Sequence, residues 1–255
     1  MKIRLRYSKM GKVRFVGNLD VTRLWERALR KTALPVAYSV GFSPRPKLSF
    51  GLALPMAAES IAEYVDIELA PYPDGRHPLG DAGLDGLVER LSLAMPNGFD
   101  VLVVAEKLPG QVSLQEDVVA CDWEVAVLGI GMAAAHAAVD HALAASELPL
   151  QRERKGERRT DDVRPAIEEL RVIGPTEVEG TDGIEAVALR MRLATVGRGL
   201  RPSELVSVVF PDLGDPTDVV RRLVRTEQWI ERDGARRELL PMPAAVGAPA
   251  GMVGA

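Results

Sequence analysis

An ordered series of strand-like and helix-like segments is the feature that most constrains the fold of these 255 residues. In the strand-like segments apolar and polar residues alternate, whereas in the helix-like segments apolar residues recur every three or four positions. The N-terminal part shows the order strand, helix, strand, strand, helix, strand. We predict strands at residues 2–7, 48–54, 63–69 and 99–105, a further strand at 12–16 after a turn, and helices at 18–32 and 79–94.

A similar order follows in the C-terminal part, after a Leu-Pro-Gly linker at residues 108–110. The pattern predicts strands at 120–128, 170–173 and 184–194, a helix at 132–146, a short helix from residue 202, and a last segment at 219–231 that could be strand or helix. This order predicts an α+β protein with two tandem ferredoxin-like (βαββαβ) halves. We place an N-terminal domain at 1–109 and a C-terminal domain at 110–240. Residues 241–255 are rich in Ala, Gly and Pro and are predicted to be a disordered tail.

Positive charge is concentrated in the N-terminal part of a chain whose formal net charge is −4. The first fifty residues contain 12 Lys and Arg but only two acidic residues, Asp20 and Glu26, so they carry +10 and the remaining residues carry −14. Such a local excess is typical of a surface that binds an anionic partner. The alternative is charge that maintains solubility and happens to cluster.

The segment 18–32 is predicted to be an amphipathic helix. Asn18 is a candidate N-cap, Asp20 lies near the positive helix end, and Pro35 follows the last turn. At about 100° per residue, one face of this helix is apolar and the opposite face is basic. The apolar face comprises Val21, Leu24, Trp25, Ala28, Leu29 and Thr32, and the basic face comprises Arg23, Arg27, Arg30 and Lys31.

The Pro-rich string at residues 41–51 contains Arg45 and Lys47, and prolines flank Arg45 on both sides. Because proline fixes the local backbone, the two cations would lose little entropy on binding. Phe42 and Phe50 bracket them, as in a surface that neutralises phosphate and stacks bases. A rigid loop between two strands with both phenylalanines in the core is the alternative. We predict functional presentation for the cations and a core position for Phe50.

Two later segments are also candidates for anion binding. Residues 151–171 hold nearly equal numbers of basic and acidic side chains, so a solvated hairpin loop and a phosphate grip at 155–159 both fit. Residues 197–204 begin a short helix whose free N–H groups could hold an anion, although an ordinary strand-to-helix turn explains the glycines equally well. The candidate cations in these segments are Lys155, Arg158, Arg164, Arg198 and Arg201.

The rare residue types limit the chemistry of this chain. Cys121 is the single cysteine, which excludes an intramolecular disulfide, a thiolate zinc site and a cysteine-ligated iron–sulfur cluster within one chain. Its strand-like surroundings predict a buried position. His136 and His141 lie five positions apart on a predicted helix and do not stack as a pair of ligands. We expect no metal or cofactor in this chain, no transmembrane span, no signal peptide and a cytoplasmic location.

Several short strings occur together and in order in this sequence: Gly11-Lys12-Val13-Arg14-Phe15, Asn18-Leu19-Asp20, Arg27-Ala28-Leu29-Arg30, Pro46-Lys47-Leu48-Ser49-Phe50 and Glu63-Tyr64-Val65-Asp66. In this combination the chain resembles the radical-SAM-associated family of unknown function, whose members are separate chains or are joined to the C-terminus of a radical SAM protein. The resemblance implies a radical SAM protein as partner. Since this chain lacks the three-cysteine motif, the iron–sulfur cluster and S-adenosylmethionine are expected only in that partner.

The family pattern commonly has His where this chain has Asn18 and Arg45, which argues against histidine-based acid–base or metal chemistry at these positions. The sequence therefore predicts a non-catalytic accessory module that binds RNA or presents it to a radical SAM partner. RNA is favoured over duplex DNA because ferredoxin-like sheets commonly present single strands. The candidate binding residues of the first fifty are Arg4, Arg6, Lys12, Arg14, Arg23, Arg27, Arg30, Lys31, Arg45 and Lys47.

Two alternatives stay open. One is an RNA-processing endonuclease of the same build, with Tyr38, Lys47 or His77 near the cleaved phosphate, but the sequence offers it no convincing general base. The other is a pure protein-docking subunit whose basic surface meets an acidic partner, and which would contain no RNA in the complex.

Overall fold

The computed structural model describes residues 1–72, 74–75, 77–79, 83–84, 86–107, 110–154, 156–197 and 199–242, without the side chain of Arg154. The chain divides into two compact units. The first unit contains Met1–Val118 and the segment that begins at Ile230, whereas the second contains Val119–Trp229. The C-terminal segment thus returns to the unit that the N-terminal residues form. The predicted domain boundary between residues 109 and 110 does not account for this return. The predicted tail lies outside the described residues from 243 onward.

The first unit is built on antiparallel strands and two longer helices. Its elements are β1 (Lys2–Lys9), a 3-10 helix (Gly11–Phe15), α1 (Asn18–Lys31), β2 (Leu48–Phe50), β3 (Glu59–Glu68), α2 (Leu87–Ala94), β4 (Val101–Glu106) and α3 (Leu114–Asp117). β1 pairs with β3 and with β4, and β2 pairs with β3. Because Val65 pairs with Leu5 of β1 and with Phe50 of β2, these strands lie in the order β4-β1-β3-β2.

One face of these strands packs against both longer helices of the unit. Ile3 and Leu5 are fully buried in one core with Trp25 of α1 and Leu91 of α2. The ring of Tyr7 meets the ring of Trp25 edge-on at 5.1 Å between centroids. The predicted apolar face of α1 is thereby confirmed, although the N-cap is Gly17 rather than Asn18.

Residues 12–16 were predicted to be a strand, but Gly11–Phe15 form a 3-10 helix instead. Gly11 adopts φ of 71°, a conformation that glycine tolerates, and its N–H donates to Glu59 Oε1 at 2.7 Å. The ammonium of Lys9 donates to the carbonyls of Val16 at 2.7 Å and Arg14 at 3.4 Å. The segment therefore wraps around a buried lysine, which satisfies backbone carbonyls that a neighbouring strand would otherwise have to bind.

The second unit continues with strands, helices and one hairpin. The elements are β5 (Val118–Leu128), α4 (Met132–Ala144), β6 (Pro149–Arg154), β7 (Glu157–Asp162), β8 (Ile167–Pro175), β9 (Ala186–Ala194), α5 (Pro202–Val209), α6 (Pro216–Val219), β10 (Val220–Arg232) and, after the chain has returned to the first unit, β11 (Ala235–Glu238). Its strands lie in the order β10-β5-β9-β8, and β6 pairs with β7 separately. Cys121 is buried in β5, as the sequence predicts.

The segment that the sequence left open between strand and helix is the strand β10. Its neighbour β5 holds it in the sheet, so backbone pairing decides what the apolar pattern alone could not. The predicted second helix is shorter than residues 79–94, since α2 begins after Gly86, whose φ is 69°. The chain is thus a mixed α+β protein. Within the described residues, no helix combines the length and the apolar character that crossing a bilayer requires.

Candidate nucleic-acid interface

Helix α1 presents a row of exposed cations, Arg23, Arg27, Arg30 and Lys31, which we call the basic face of α1. The spacing of three and four residues places them along one side of the helix. Arg23 donates to Asp20 at 2.8 Å, but both side chains are largely exposed, so this pair is easily opened. Among the residues that the structure describes, no hydrogen bond or ion pair engages the side chain of Arg27 or Arg30. These two guanidinium groups are therefore available to an anion.

Arg4 and Arg6, in contrast, are buried. Arg4 is 4% exposed and binds Asp66 through two hydrogen bonds of 2.7 and 2.9 Å. Arg6 is 2% exposed, donates to the carbonyls of Ile61 and Leu240, and lies against the ring of Tyr64. Since these arginines alternate with the core residues of β1, they lie on the sheet face away from the helices. At both positions that face is covered, so neither side chain can contact RNA without rearrangement.

The 3-10 helix that precedes α1 contains two further candidate cations, Lys12 and Arg14. Lys12 is exposed and has no partner among the described residues. The guanidinium of Arg14 lies 4.8 Å from the ring centre of Phe15 and 3.7 Å from a Glu59 oxygen. Both side chains therefore remain accessible as the sequence predicts, with Arg14 partly neutralised.

Residues 38–46 form a loop closed at its base, where Tyr38 pairs with Pro46. Inside it, the N–H of Arg45 donates to Ser39 Oγ at 3.1 Å. Phe42 at the tip is fully exposed, as is the nearby Val40. Phe50 packs against the core of the first unit, which confirms its predicted position. The loop thus presents an aromatic ring to solvent, together with the exposed side chain of Arg45, for which the described part of the chain offers no partner.

Lys47, predicted beside Arg45, is partly neutralised by a carboxylate. Its ammonium donates to Glu68 at 3.0 Å, and Lys2 lies 3.4 Å from the other oxygen of the same carboxylate. The hydrogen bond from Lys47, with a further contribution from Lys2, lowers the pKa of Glu68 below its ordinary value against an opposing effect of burial. Lys47 is therefore a cation with a competing internal anion, unlike Arg27.

This pairing predicts a pH-dependent contribution to stability. Because the pKa of Glu68 is lower in the folded state, its charged form stabilises the fold above the ordinary glutamate pKa, and the contribution disappears as the pH falls through the lowered value. Urea unfolding of the parent and of Glu68→Gln should therefore differ near neutral pH and converge in acid. When the same two proteins are compared in a Lys47→Met background, the difference in their free energies of unfolding should be smaller. A gap that widens in acid would contradict this prediction.

The candidate cations of the second unit have mainly structural partners. Arg164 donates to the carbonyl of Leu143 at 3.0 Å, near the end of α4. The N–H of Arg201, at the start of α5, is bound by Glu204 at 2.8 Å, so a carboxylate of the chain already occupies the proposed anion position. Arg158 is exposed on the β6–β7 hairpin, 3.7 Å from Glu153. Lys155 and Arg198 lie outside the described residues.

Glu204 is itself held in place by Arg152, which explains why the start of α5 is closed to other anions. The Arg152 guanidinium donates to both Glu204 oxygens, at 3.0 and 2.7 Å, and to Asp161 at 3.3 Å. These carboxylates, Glu204 above all, raise the pKa of Arg152. Of the two alternatives for the 151–171 tract, the hairpin is present as β6–β7. Arg152, the basic residue of this hairpin that binds Glu204 of α5, therefore stabilises the fold.

Cations on the β5–β9 pair of the second unit face carboxylates. Arg192 binds Asp122 at 2.6 and 2.9 Å, and Asp122 raises the pKa of that guanidinium. Two residues further along the same strands, Arg190 binds the cross-strand residue Glu124. This surface therefore neutralises itself and offers little attraction to a polyanion.

The sequence did not single out a cavity of about 210 Å³ in the first unit. Buried Lys9 and Glu63 line it together with the aromatic residues Tyr7 and Tyr64. Thr22, from the second turn of α1, lines it as well. The residues come from separate strands, a helix and a loop, so no local motif could have revealed the cavity.

The groups proposed for an endonuclease do not form a catalytic cluster that the structure records. Tyr38 closes the base of its loop, Lys47 binds Glu68, and His77 accepts a 3.4 Å hydrogen bond from the N–H of Leu79. The described residues contain no group of three or more histidine, cysteine or carboxylate side chains that could hold a metal ion.

The fold and the basic face of α1 together define a mixed α+β protein with one predominantly cationic helix. Residues 2–202 match the family described as "Uncharacterized protein conserved in bacteria (DUF2344)", and the chain belongs to this family. No curated protein matches the sequence significantly. Among solved structures, a chain of the "Crystal Structure of a Cbf5-Nop10-Gar1 Complex" is similar at a TM-score of 0.44 and 10% identity, over 89% of this chain and 48% of that one. This chain thus spans about half the length of that chain.

Proposed function

We propose that this protein is a non-catalytic module that binds single-stranded RNA along the basic face of α1. The observation that carries the proposal is the contrast between two kinds of arginine in the same basic segment. Arg4 and Arg6 are buried with partners, whereas Arg27 and Arg30 are exposed without a partner among the described residues. Unpaired guanidinium groups aligned on one helix face are suited to successive phosphates.

The proposed architecture is a pair of ferredoxin-like units, and it is supported by two equivalent strand orders. Numbering the four main strands of each unit along the chain gives the order 4-1-3-2 in both cases, with one longer helix after the first strand and another after the third. The RNA surface proposed here differs from the sheet-face binding of many such domains. It lies on α1, because the sheet face at Arg4 and Arg6 is buried.

The proposed partner is a radical SAM enzyme, to which this module would bring its RNA substrate. The family resemblance supports this part of the proposal, and the single cysteine supports the placement of the iron–sulfur cluster in the partner. The fully exposed Phe42 and Val40 favour the 38–46 loop as the protein-docking element, since exposed apolar side chains grouped on a loop often mark an interaction surface. If docking alone is the function, Phe42→Ser will release the partner and no RNA will co-purify.

The RNA proposal predicts a specific salt dependence. A short single-stranded RNA should bind at low ionic strength, and the logarithm of the association constant should fall linearly with the logarithm of salt concentration, by about 0.7 per phosphate neutralised. Fluorescence anisotropy over a salt series measures this slope, with a duplex DNA of similar charge for comparison. Absence of binding at low salt, or binding that salt does not change, would rule out the proposed function.

A further inference from the structure

We propose that a basic hollow on the sheet of the first unit binds a phosphate monoester, a ligand class that goes beyond the RNA backbone proposed for α1. The hollow has a volume of about 270 Å³ and belongs entirely to the first unit. We call it the lysine hollow, because three lysines line it together with two carboxylates. The lysines are Lys2 of β1, Lys47 before β2 and Lys107 after β4, and the carboxylates are Asp66 and Glu68 of β3.

The strand register places the lysine hollow on the sheet face away from the helices. Lys2 pairs with Glu68 across β1 and β3, and Ser49 of β2, which also lines the hollow, pairs with Asp66. Asp66 and Glu68 flank the core residue Ile67, so their side chains point away from the core that α1 covers. The lysine hollow is therefore a site separate from the basic face of α1.

The first carboxylate of the hollow serves two cations. Asp66 accepts two hydrogen bonds from Arg4, of 2.7 and 2.9 Å, and one of 2.8 Å from Lys107. Asp66 and Arg4 are buried, and the side chain of Lys107 is only 12% exposed. One negative charge thus faces two positive charges in a space that water screens poorly.

The second carboxylate is shared in the same way. Glu68 accepts a hydrogen bond of 3.0 Å from Lys47 and lies 3.4 Å from Lys2. Both lysines lower the pKa of Glu68, so it stays charged at neutral pH and still leaves one of their two charges without a counter-ion. Together with the pair on Asp66, four cations share two carboxylates, and the lysine hollow keeps an excess of about two positive charges.

A phosphate monoester matches this excess in charge and in hydrogen bonding. It carries about −1.5 to −2 at pH 7 and three acceptor oxygens, whereas each phosphate of an RNA backbone carries a single negative charge. An ammonium has three N–H donors. Lys2 and Lys47 each contact one carboxylate, and Lys107 uses two donors, on its carboxylate and on the Val112 carbonyl at 3.2 Å. Within the described residues each ammonium therefore keeps at least one donor, and the exposed hydroxyl of Ser49 adds another.

The surroundings of the lysine hollow leave room for the group that carries the phosphate. The side chains of Lys2 and Lys47 are 54% and 45% exposed, so the hollow is open to solvent on their side. A second hollow of about 330 Å³ adjoins it and shares Lys2, Glu68 and Lys107. The phosphate can therefore contact the ammonium groups while the rest of the ligand extends into the adjoining space. The two sources of such a group are a free phosphorylated molecule and the terminal phosphate of an RNA strand.

The test compares ligands with and without the phosphate. Isothermal titration calorimetry at constant ionic strength measures binding of adenosine 5′-monophosphate, inorganic phosphate and adenosine to the intact chain. The parent should bind the first two and not the nucleoside. Lys47→Met should weaken phosphate binding at least about fivefold, and Ser49→Glu, which brings a third carboxylate into the hollow, should weaken it at least as much. Arg221→Met removes the same charge at an exposed position of the second unit and should bind like the parent.

A second pair of ligands distinguishes the two sources of the phosphate. A short oligouridylate with a 5′-phosphate is compared with the same strand ending in a 5′-hydroxyl. Tighter binding of the phosphorylated strand, with the difference lost in Lys47→Met, assigns the site to the end of an RNA. Equal binding of the two strands, with adenosine 5′-monophosphate still bound, assigns it to a free phosphorylated molecule. Failure of both strands to bind would reject the proposed function, whereas the lysine hollow is judged on the nucleotide alone.

Three results would overturn the phosphate site. The first is a parent protein that binds neither adenosine 5′-monophosphate nor inorganic phosphate, or that binds adenosine equally well. The second is unchanged phosphate binding in both Lys47→Met and Ser49→Glu, since the anion would then be bound elsewhere. The third is an equal loss in Arg221→Met, which would show that net charge alone governs the binding. Circular dichroism of each variant verifies that the protein is folded, and the two hollow variants change exposed residues that lie outside the core.

Discussion

Reversing the charge of Arg27 and Arg30 together should weaken single-stranded RNA binding at least about tenfold and reduce the slope of its salt dependence by about one to two. The effect follows from the exposure of both guanidinium groups and from their position on one face of α1. The free energy of unfolding should change by no more than about 0.5 kcal/mol, since neither side chain contributes to the core. Fluorescence anisotropy over a salt series and urea unfolding measure the two effects on the same Arg27→Glu/Arg30→Glu protein.

A matched variant distinguishes position from net charge. Arg221→Glu/Arg237→Glu makes the same change in charge at two exposed positions that are not among the candidate binding residues. It should leave RNA affinity close to that of the parent if the basic face of α1 is the binding surface. Equal losses in the two variants would show that overall charge alone governs binding. Unfolding of the α1 variant would show that Arg27 and Arg30 are structural.

Replacing Asp66 with alanine should destabilise the protein by about 3–5 kcal/mol, the usual effect of removing one partner of a buried ion pair. Asp66 is 5% exposed and binds Arg4 through both carboxylate oxygens, and Lys107 donates to it at 2.8 Å. Without it, the nearly buried guanidinium of Arg4 keeps its charge and loses its counter-ion. Urea unfolding measures the change.

Asp20→Ala is the control for this experiment, because it removes the carboxylate of an exposed pair. Asp20 and Arg23 lie 2.8 Å apart with most of both side chains in solvent, so the loss should stay below about 1 kcal/mol. Similar losses in the two variants would mean that Arg4 finds another partner or that water reaches it. The comparison also tests directly whether Arg4 belongs to the fold rather than to the RNA surface.

The sequence predicts elements better than it predicts which cations are free. The helix periodicity correctly identified the buried side of α1, because a single helix with Trp25 and Leu29 on one face has only one way to pack. Alternation along β1 places Arg4 and Arg6 on the face opposite to Ile3 and Leu5, but it does not reveal that these two candidate binding residues are buried on that face. Their partners, Asp66 and the carbonyl of Leu240, are far along the chain, and no local pattern reveals them. The same reason explains why the cavity at Lys9 and Glu63 was missed.

The strand-like reading of residues 12–16 failed for a different reason. Alternation of Lys12 and Arg14 with apolar residues is compatible with a strand, but the buried ammonium of Lys9 binds the carbonyls of this segment. The need of a buried charge for partners, met here by carbonyls only five and seven residues further along the chain, therefore outweighed the alternating pattern.

The return of the chain to the first unit has a consequence for synthesis on the ribosome. Asp117 pairs with Arg232, and Arg6 donates to Leu240, so contacts of the first unit wait for residues that are made after the whole of the second. Folding in order of synthesis, the usual route for consecutive domains, cannot complete the N-terminal unit first. Until Arg232 and Leu240 have emerged, the buried carboxylate of Asp117 and the buried Arg6 lack these partners. The nascent N-terminal unit is therefore exposed to proteases and chaperones for the time needed to translate the second unit.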